Sequence, residues 1–582
     1  MAGVGVDGSF AVWAPEAGSV DVVVGGTARA MTQEDGGWWS VHVDGAGHGT
    51  DYAYSLDGAD PLPDPRSRWQ PQGVHAASRV WDPAVSSDVL DDRWTGRALA
   101  GAVIYELHVG TFTGGGTFDA AVDRLDHLVD LGVTLVEVLP VNAFDGTRGW
   151  GYDGVLWGAV TENYGGPDGF RRFVAACHER GLGVVLDVVY NHLGPSGAYL
   201  DRFGPYFSGA NDWGSALNLD GPGSDTVRGY ILDNVTQWFT LFGVDALRLD
   251  AVHALHDERA THLLEEMAVL ADGLAATLGR PCTLIAESDL NDPRLVTPRE
   301  AGGYGLDAQW CDDIHHALHS TLTGETQGYY VDFGELETLG TVLREAYVHA
   351  GTWSTFRGRT HGRPVDLART PGYRFLAYLS DHDQVGNRAG GDRLSASLSP
   401  GLLACGAALV FCSPFTPMIF MGEEWGASTP WAFFVGFDDP GLQDAVREGR
   451  RREFAEHGWG SDDVPDPTDI ATFERSRLNW GEVEEGQHAW LLEVYRSLAA
   501  LRRAEPELAD PRLDRVHCDV DAGARTLVLG RGALRLVVNL SAVEVTVPID
   551  GASEVVWTPG EVGLSEAAVV LGPESCVVLR TS

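Results

Sequence analysis

The sequence predicts an α/β protein built on a (β/α)8 TIM barrel, with a β-sandwich before the barrel and an antiparallel β domain after it. Eight apolar segments alternate with helical segments that end in glycine, which is the pattern of a parallel sheet covered on its faces. Short alternating strands precede this region, and the helical segments stop near residue 505. The 582 residues also exceed what one ordinary core holds, so several domains are expected.

The first 88 residues contain short strands separated by turns rich in glycine and aspartate. Apolar residues alternate with polar ones over 10–15, 38–43 and 52–56, which is typical of a small β-sandwich. We expect an N-terminal, carbohydrate-binding-like β-sandwich over 1–88. A proline-rich segment, 61–73, leads from these strands towards the barrel.

Eight strands are predicted between residues 89 and 504, which we assign to the barrel and its loop excursions. Their segments are 104–109, 133–141, 184–190, 244–251, 283–288, 306–310, 374–380 and 416–422. Between them we expect helices such as one ending at Leu131 and Gly132 and one over 167–180 capped by Gly181. An open, doubly wound sheet is the alternative to a closed barrel.

One stretch, 401–422, contains no charged residue and is long enough to suggest a membrane helix. Pro414 and Pro417 interrupt it, so a buried helix followed by a buried strand is the better interpretation.

From residue 505 to 582 the pattern changes to strands alone, at 526–530, 534–541, 543–549, 554–559 and 576–580. This pattern predicts an antiparallel C-terminal β domain.

The charge balance excludes several classes of partner. The chain has 41 basic and 83 acidic residues, and its formal net charge of −42 repels nucleic acid and anionic membrane surfaces.

The N-terminal residues show no basic and apolar secretory signal, so a cytoplasmic protein is expected. The seven cysteines are scattered and odd in number, which favours reduced thiols.

Carboxylates recur where the predicted barrel strands end. Strand three ends at Asp187, strand four at Arg248 and Asp250, strand five at Glu287, and strand seven at Asp381. Side chains at these ends of a barrel converge on one site. Several carboxylates facing one cavity suit the cleavage of an acetal, because one acid stays ionised beside the developing cation while another protonates the leaving oxygen.

Arg248 and Asp250 are two residues apart on a strand, so their side chains face the same way, and the cation would keep Asp250 ionised as a nucleophile requires. Glu287 has one more methylene and lies on the neighbouring strand, so it could reach the glycosidic oxygen as general acid. Any one of these acids alone is more often a helix cap or the partner of a buried arginine. Their occurrence at successive strand ends favours a catalytic site.

Four motifs resemble, in order, the signature regions of the α-amylase family: DVVYNH (187–192), GVDALRLDAVHAL (243–255), AESD (286–289) and DHDQVGN (381–387). The resemblance implies a retaining mechanism with Asp250 as nucleophile, Glu287 as general acid/base and Asp383 as the acid that binds and distorts the sugar. It implies that Asp187 is mainly structural. Further substrate contacts are expected from Tyr152, which would stack beneath the sugar, and from His192, Arg248, His253, Asp289, His382, Gln384 and Trp425.

Within that family, other motifs resemble those of members that release trehalose. They are RGWGYDG (148–154), AESDLNDPRLV (286–296), LDAQWCDDIHHALH (306–319), GEEWGASTPWAFF (422–434) and DVPDP (463–467). This resemblance implies hydrolysis of the α-1,4 bond next to the terminal trehalose of a maltooligosyl-trehalose. The substrate would be a neutral α-glucan oligosaccharide made by a maltooligosyl-trehalose synthase. An α-amylase, a glucan branching enzyme and a non-catalytic glucan-binding protein are the alternatives.

Two further signals concern position 381 and the aromatic residues after strand eight. Position 381 is Asp where the related pattern more often has Asn, and an acid there could raise the pKa of His382 and shift the pH optimum upward. Trp425, Trp431, Phe433 and Phe434 follow strand eight and either pack or form a platform for sugar rings.

No cofactor and no required metal are expected. His315 and His319 lie on one helical face, but no HExxH motif and no fourth ligand accompany them, which favours a structural role over zinc. The loop after strand three, 192–214, lacks the dense acidic ligands that calcium needs.

Overall fold

The computed structural model describes residues 5–85, 90–91, 93–211, 213–456, 464–549, 551 and 553–581. Its centre is a closed barrel in which each strand pairs in parallel with the next along the chain, and the last pairs with the first. We number the barrel strands β1 (Ile104–Leu107), β2 (Leu135–Val138), β3 (Gly183–Val188), β4 (Ala246–Leu249), β5 (Thr283–Ala286), β6 (Ala308–Trp310), β7 (Phe375–Ala377) and β8 (Thr416–Phe420). Seven lie within the segments predicted from the sequence, and β3 begins one residue before its segment. Closure excludes the open sheet.

Helices surround and extend the barrel. Among the described residues, the α-helices of five or more residues are Phe118–Val122, Leu125–Leu131, Gly166–Glu179, Ser224–Gln237, Leu263–Leu278, Asp312–Thr323, Leu336–Glu345, His382–Gly386, Pro400–Cys412, Pro440–Glu456, Ile470–Arg475 and Gly486–Ala504. Gly132 ends its helix at φ 97°, the left-handed conformation that glycine adopts without a steric cost. The uncharged stretch forms the helix Pro400–Cys412 and strand β8, as predicted.

Two small sheets precede the barrel. One joins Ser9–Trp13, Trp38–His42 and Thr32–Gln33, and the other joins Thr27–Ala30, Val20–Val24, Asp51–Leu56 and Ser78–Arg79. Trp81, just beyond the last strand, stacks on Phe242 at 5.2 Å between ring centroids and donates to Asp168 at 2.9 Å. These contacts attach the N-terminal strands to the barrel. The domain boundary expected at 88/89 lies outside the described residues.

The C-terminal part contains two antiparallel sheets. The larger has the order Val516–Asp521, Thr526–Arg531, Leu534–Asn539, Ser575–Thr581 and Ser553–Trp557, and the smaller has Val545–Pro548, Ala568–Leu571 and Val562–Leu564. The helices stop near residue 505 as expected: among the described residues beyond it, only the 3-10 turn Leu513–Arg515 and one short α-helix, Pro506–Ala509, follow. Proline at its first position needs no hydrogen-bond acceptor, which permits this single turn. In the part of the chain that the structure describes, no helix has the length and apolar character to cross a membrane.

Side chains at alternate positions of the barrel strands fill its interior in two levels. The lower level is apolar and includes Ile104, Leu135, Val185, Ala246 and Met418. Two residues further along their strands stand Glu106, Glu137, Asp187 and Arg248, each at most 2% exposed. We call these four residues the interior polar cluster. It lies between the apolar core and the C-terminal ends of the strands, where the candidate site residues are.

Candidate active site

Asp250 follows β4 and is held by two donors. Arg248 Nη1 lies 2.6 Å from Asp250 Oδ1, and Asn191 Nδ2 donates to Asp250 Oδ2 at 2.9 Å. Both carboxylate oxygens are therefore engaged, the first by a charge-assisted bond. This arrangement fixes the orientation of the Asp250 carboxyl group.

Arg248 links this carboxylate to the floor of the site. Its Nη1 also donates to both oxygens of Asp187, at 3.0 and 2.9 Å. The guanidinium carbon lies 4.4 Å from the ring centroid of Trp310, so the cation also rests on an aromatic face. The sequence prediction that Arg248 and Asp250 face the same way is confirmed by their contact.

Glu287 follows β5 and lies beside Asp250. Its Oε2 accepts a hydrogen bond from the Ala251 backbone nitrogen at 2.7 Å and is 3.9 Å from Arg248 Nη2. The side chain is 17% exposed, so it reaches the cleft. Burial raises the pKa of Glu287 well above its usual range, Arg248 opposes that rise, and Asp250 adds to it. A proton held at neutral pH is what a general acid requires.

The backbone between these acids is strained. Ala251 has φ 41° and ψ 51°, a left-handed conformation that is unfavourable for any residue with a Cβ. This conformation directs the Ala251 N–H at Glu287. Strain of this kind, of about 1–3 kcal/mol, is common at functional sites, where the surrounding contacts maintain it.

Asp383 lies in the first turn of the helix His382–Gly386 after β7. It is exposed, and its Oδ1 accepts from Asn387 Nδ2 at 2.6 Å. His382 stacks on Tyr152 at 5.1 Å between ring centroids, and its Nε2 is 2.8 Å from the Tyr152 hydroxyl. Tyr152 in turn donates to Asp187 Oδ2 at 2.5 Å.

The Asp381 carboxyl bonds to the backbone and not to the His382 ring, and its expected effect on the pH optimum stays a prediction. Asp381 Oδ1 accepts from the Gln384 backbone nitrogen at 2.6 Å, so it caps the helix, whereas the His382 ring bonds to Glu106. Burial lowers the pKa of His382 to about 4, and Asp383 is the acid that opposes this fall most. Asp381 therefore acts on the backbone of the segment that carries Asp383.

Four other predicted contacts lie at the rim of the site. His192 Nε2 is 3.0 Å from the Tyr152 carbonyl oxygen, and the ring of the exposed Trp213 lies 6.3 Å from His192 and 5.7 Å from His253. These aromatic groups form one side of the cleft.

Asp289 and Gln384 each bond to a neighbouring side chain. Asp289 Oδ2 accepts from Arg357 Nη2 at 2.7 Å, and the Tyr329 hydroxyl donates to Gln384 Oε1 at 3.0 Å. Phe356, half exposed, lies 6.1 Å from Tyr329 between ring centroids. Both predicted residues are therefore oriented by neighbours that come from the segment between β6 and β7.

Trp425 was a wrong prediction. Its side chain is 0% exposed, it donates to Glu482 Oε1 at 3.2 Å, and it packs 5.0 Å from Trp480 between ring centroids. The turn after β8 folds back onto the barrel wall, so the indole faces the protein and not the cleft. Trp431 and Phe434 are also fully buried, and they pack in the small core under this loop.

Sequence reasoning missed Glu106, Asn191, Trp213 and Tyr329. Glu106 and its neighbour Glu137 are single charged residues inside otherwise apolar strands, and this signal was available. Asn191 lies within a recognised motif without an assigned role. Trp213 and Tyr329 lie in long loops, where sequence gives no indication of which strand ends they approach.

The histidines of the helix Asp312–Thr323 form an aromatic stack. His315 and His319 lie 5.5 Å apart between ring centroids, and His319 Nε2 is 2.8 Å from Glu325 Oε2. Among the residues that the structure describes, no group of three or more His, Cys, Asp or Glu side chains has the geometry of a metal site.

Comparisons with known proteins agree with this geometry. The family model described as alpha amylase, catalytic domain, matches residues 86–213, and a domain of unknown function (DUF3459) matches residues 511–578. A malto-oligosyltrehalose trehalohydrolase from Arthrobacter ramosus is 56% identical over 98% of this chain and 99% of its own length. One from Mycobacterium tuberculosis (strain CDC 1551 / Oshkosh) is 53% identical over the same shares. A crystal structure from Salmonella typhimurium, described provisionally as an alpha amylase, covers 98% of this chain and 97% of its own at 36% identity and a TM-score of 0.89.

Proposed function

Because this chain belongs to the malto-oligosyltrehalose trehalohydrolase family, within the α-amylase fold, we infer that it hydrolyses the α-1,4 bond next to the terminal trehalose of a maltooligosyl-trehalose. The products are trehalose and a maltooligosaccharide. The reaction is acetal hydrolysis with retention, in which a covalent glycosyl-enzyme forms and is then hydrolysed.

Asp250 is the proposed nucleophile. Its two oxygens accept hydrogen bonds from Arg248 and Asn191, so the carboxylate is already oriented before substrate binds. It does not have to reorient when water leaves the site. It would attack the anomeric carbon as the bond to the trehalose oxygen breaks. A fixed carboxylate beside that carbon also stabilises the positive charge that develops there.

Glu287 is the proposed general acid/base. In the first step its proton passes to the departing oxygen of trehalose, and in the second step the resulting carboxylate takes a proton from water. Asp383, exposed in the cleft, would bind the hydroxyls of the sugar in the cleaved subsite. Tyr152 and His382 would lie against the same sugar.

The observation that carries this assignment is the contrast between two neighbouring acids. Asp250 accepts a charge-assisted hydrogen bond on one oxygen and a neutral one on the other, whereas Glu287 is mostly buried, which raises its pKa. A carboxylate oriented by two donors beside an acid that retains its proton is what a retaining glycosidase needs.

Product analysis tests the substrate. Purified protein is incubated with maltotetraosyl-trehalose and, separately, with maltohexaose, and the products are separated by chromatography. We expect trehalose and maltotetraose from the first substrate and slow cleavage of the second. Equal cleavage of both would instead identify an α-amylase, new α-1,6 linkages would identify a branching enzyme, and binding without turnover would identify a glucan-binding protein.

We also propose a cytoplasmic location and a maltooligosyl-trehalose synthase as the preceding enzyme. All seven cysteines are buried and unpaired, which suits a reducing compartment. The preceding enzyme follows from the chemistry, because a trehalose unit must already end the oligosaccharide before this bond can be cleaved. The domain division proposed is 1–88, 89–504 and 505–582, with catalysis in the second part.

A further inference from the structure

A chain of hydrogen bonds runs beneath the catalytic acids from β1 to β3. Glu106 Oε1 lies 2.5 Å from His382 Nδ1, His382 Nε2 lies 2.8 Å from the Tyr152 hydroxyl, and this hydroxyl lies 2.5 Å from Asp187 Oδ2. Glu106 Oε2 also accepts from the His382 backbone nitrogen at 3.0 Å. Glu106 therefore contacts both the ring and the backbone of the residue that precedes Asp383.

The three contacts among these four side chains require three hydrogens. The phenol of Tyr152 brings one hydrogen, and a neutral imidazole brings another. Every heavy-atom pair is at hydrogen-bond distance, so a third hydrogen is needed. It must be an additional proton on Glu106, His382 or Asp187.

The surroundings decide which group holds this proton. Burial raises the pKa of Asp187, but Arg248 donates to both of its oxygens and favours the ionised form, so the rise is smaller than at Glu106. His382 is 3% exposed, and burial lowers its pKa to about 4, which disfavours an imidazolium. Glu106 is 1% exposed, and burial raises its pKa well above the usual range although Arg248 opposes the rise. The proton is therefore best placed on Glu106.

The geometry at Glu106 fits a neutral carboxyl group. A carboxylic acid has one oxygen that accepts and one that donates, and Glu106 Oε2 faces a donor N–H while Oε1 faces an imidazole nitrogen. Ionised Glu106 would stand among several other acids and one cation. The charged and titratable groups that face it are Glu137 on β2, Asp187 on β3, Arg248 on β4, and Asp381, His382 and Asp383 after β7.

We propose that Glu106 is a positioning residue that works as a neutral carboxylic acid. It donates to His382 Nδ1, which leaves the single ring hydrogen on Nε2 pointing at the Tyr152 oxygen. Tyr152 then donates to Asp187, which remains the ionised partner of Arg248. This direction of donation, from Glu106 through His382 and Tyr152 to Asp187, keeps Arg248 paired with Asp187 and Asp250. It also fixes the backbone that carries Asp383.

Two substitutions separate this role from a merely structural one. Glu106→Gln keeps one donor and one acceptor, whereas Glu106→Met removes both at similar size. We expect kcat within about threefold of the unaltered enzyme for Gln, and a fall of about a hundredfold with little change in KM for Met, because misplacement of reacting groups acts on the transition state. Glu137→Gln is the matched control, since Glu137 is equally buried and bonds to none of these groups among the described residues. It should leave kcat unchanged.

Infrared spectroscopy detects the proton on Glu106 directly and needs no substrate. At neutral pH, Glu106→Gln should lose the C=O stretching intensity of one protonated carboxyl group. The proposal is overturned if that intensity is unchanged, if the Gln variant is as slow as the Met variant, or if the Met variant keeps full kcat. If the Met variant does not fold, the Gln variant and its infrared spectrum decide.

The kinetic comparison of the variants rests on the proposed function, whereas the infrared measurement does not. Absence of trehalose release by the unaltered enzyme would therefore contradict the proposed function alone. The infrared result would still show whether Glu106 holds the proton.

Discussion

Replacing Glu287 by Gln tests the central assignment most sharply. The amide oxygen of Gln can accept from the Ala251 N–H as Oε2 of Glu287 does, so the side chain should keep its place and the cleft its shape. What is lost is the proton for the departing trehalose oxygen. General acid catalysis contributes about 10²- to 10⁴-fold, so we expect kcat on maltooligosyl-trehalose to fall about a thousandfold while substrate still binds.

A substrate that needs no acid isolates this effect. Fluoride leaves an anomeric carbon without being protonated, so the glycosylation step with α-maltosyl fluoride should be slowed about tenfold or less in the Glu287→Gln variant. Water attack on the glycosyl-enzyme then lacks its general base, and fluoride should appear as a burst equal to the enzyme concentration. Added azide needs no base and should restore turnover. A fluoride electrode and rapid mixing measure the burst.

The pH profile gives a second readout of the same change. Burial raises the pKa of Glu287, so the acid form persists above the usual range of a carboxyl group, and activity falls only as the pH rises through that raised value. The alkaline limb of kcat/KM should disappear in the variant. Glu423→Gln is the control, because burial also raises the pKa of Glu423, to about 8, but its carboxyl bonds to Tyr495 outside the cleft. Equal loss of rate on both substrates would refute the role of Glu287 as acid.

Three further outcomes are expected. Trp213→Ala should raise KM for long oligosaccharides by about tenfold with a smaller effect on kcat, because an exposed ring at the rim supplies contact area; an unchanged KM would remove Trp213 from the site. Gly386→Ala should destabilise the protein by about 1–3 kcal/mol, since a Cβ there would lie 2.0 Å from the Trp150 ring; Gly390→Ala, with 3.7 Å to its nearest atom, is the control, and equal melting temperatures would contradict the packing. Glu287→Gln should raise Tm more at mildly alkaline than at mildly acidic pH. The stability that the raised pKa of Glu287 confers is present below its unfolded pKa and lost as the pH rises through the folded one, so a gain independent of pH would contradict the assigned direction.

The barrel, its eight strands and the residues at the strand ends could be predicted from the sequence alone. Strands buried on both faces must be apolar throughout, which leaves an apolar run such as 184–190. The helices between the strands must end, which leaves a terminal glycine such as Gly132. The relation of Arg248 to Asp250 was also predictable, because side chains two residues apart on a strand share a face. Because the C-terminal ends of barrel strands converge, the topology then predicted that the acids at these ends form one catalytic site.

Which side chains meet across the barrel could be learned only from the folded chain. Glu106 and His382 are 276 residues apart, and no local pattern states that a carboxyl on β1 bonds to a ring after β7. Burial of Trp425 behind the strand-eight turn and the cap formed by Asp381 were equally hidden. The physical reason is that periodicity reports which face of an element is buried, whereas hydrogen-bond partners and proton positions depend on distances between elements that the chain brings together only on folding.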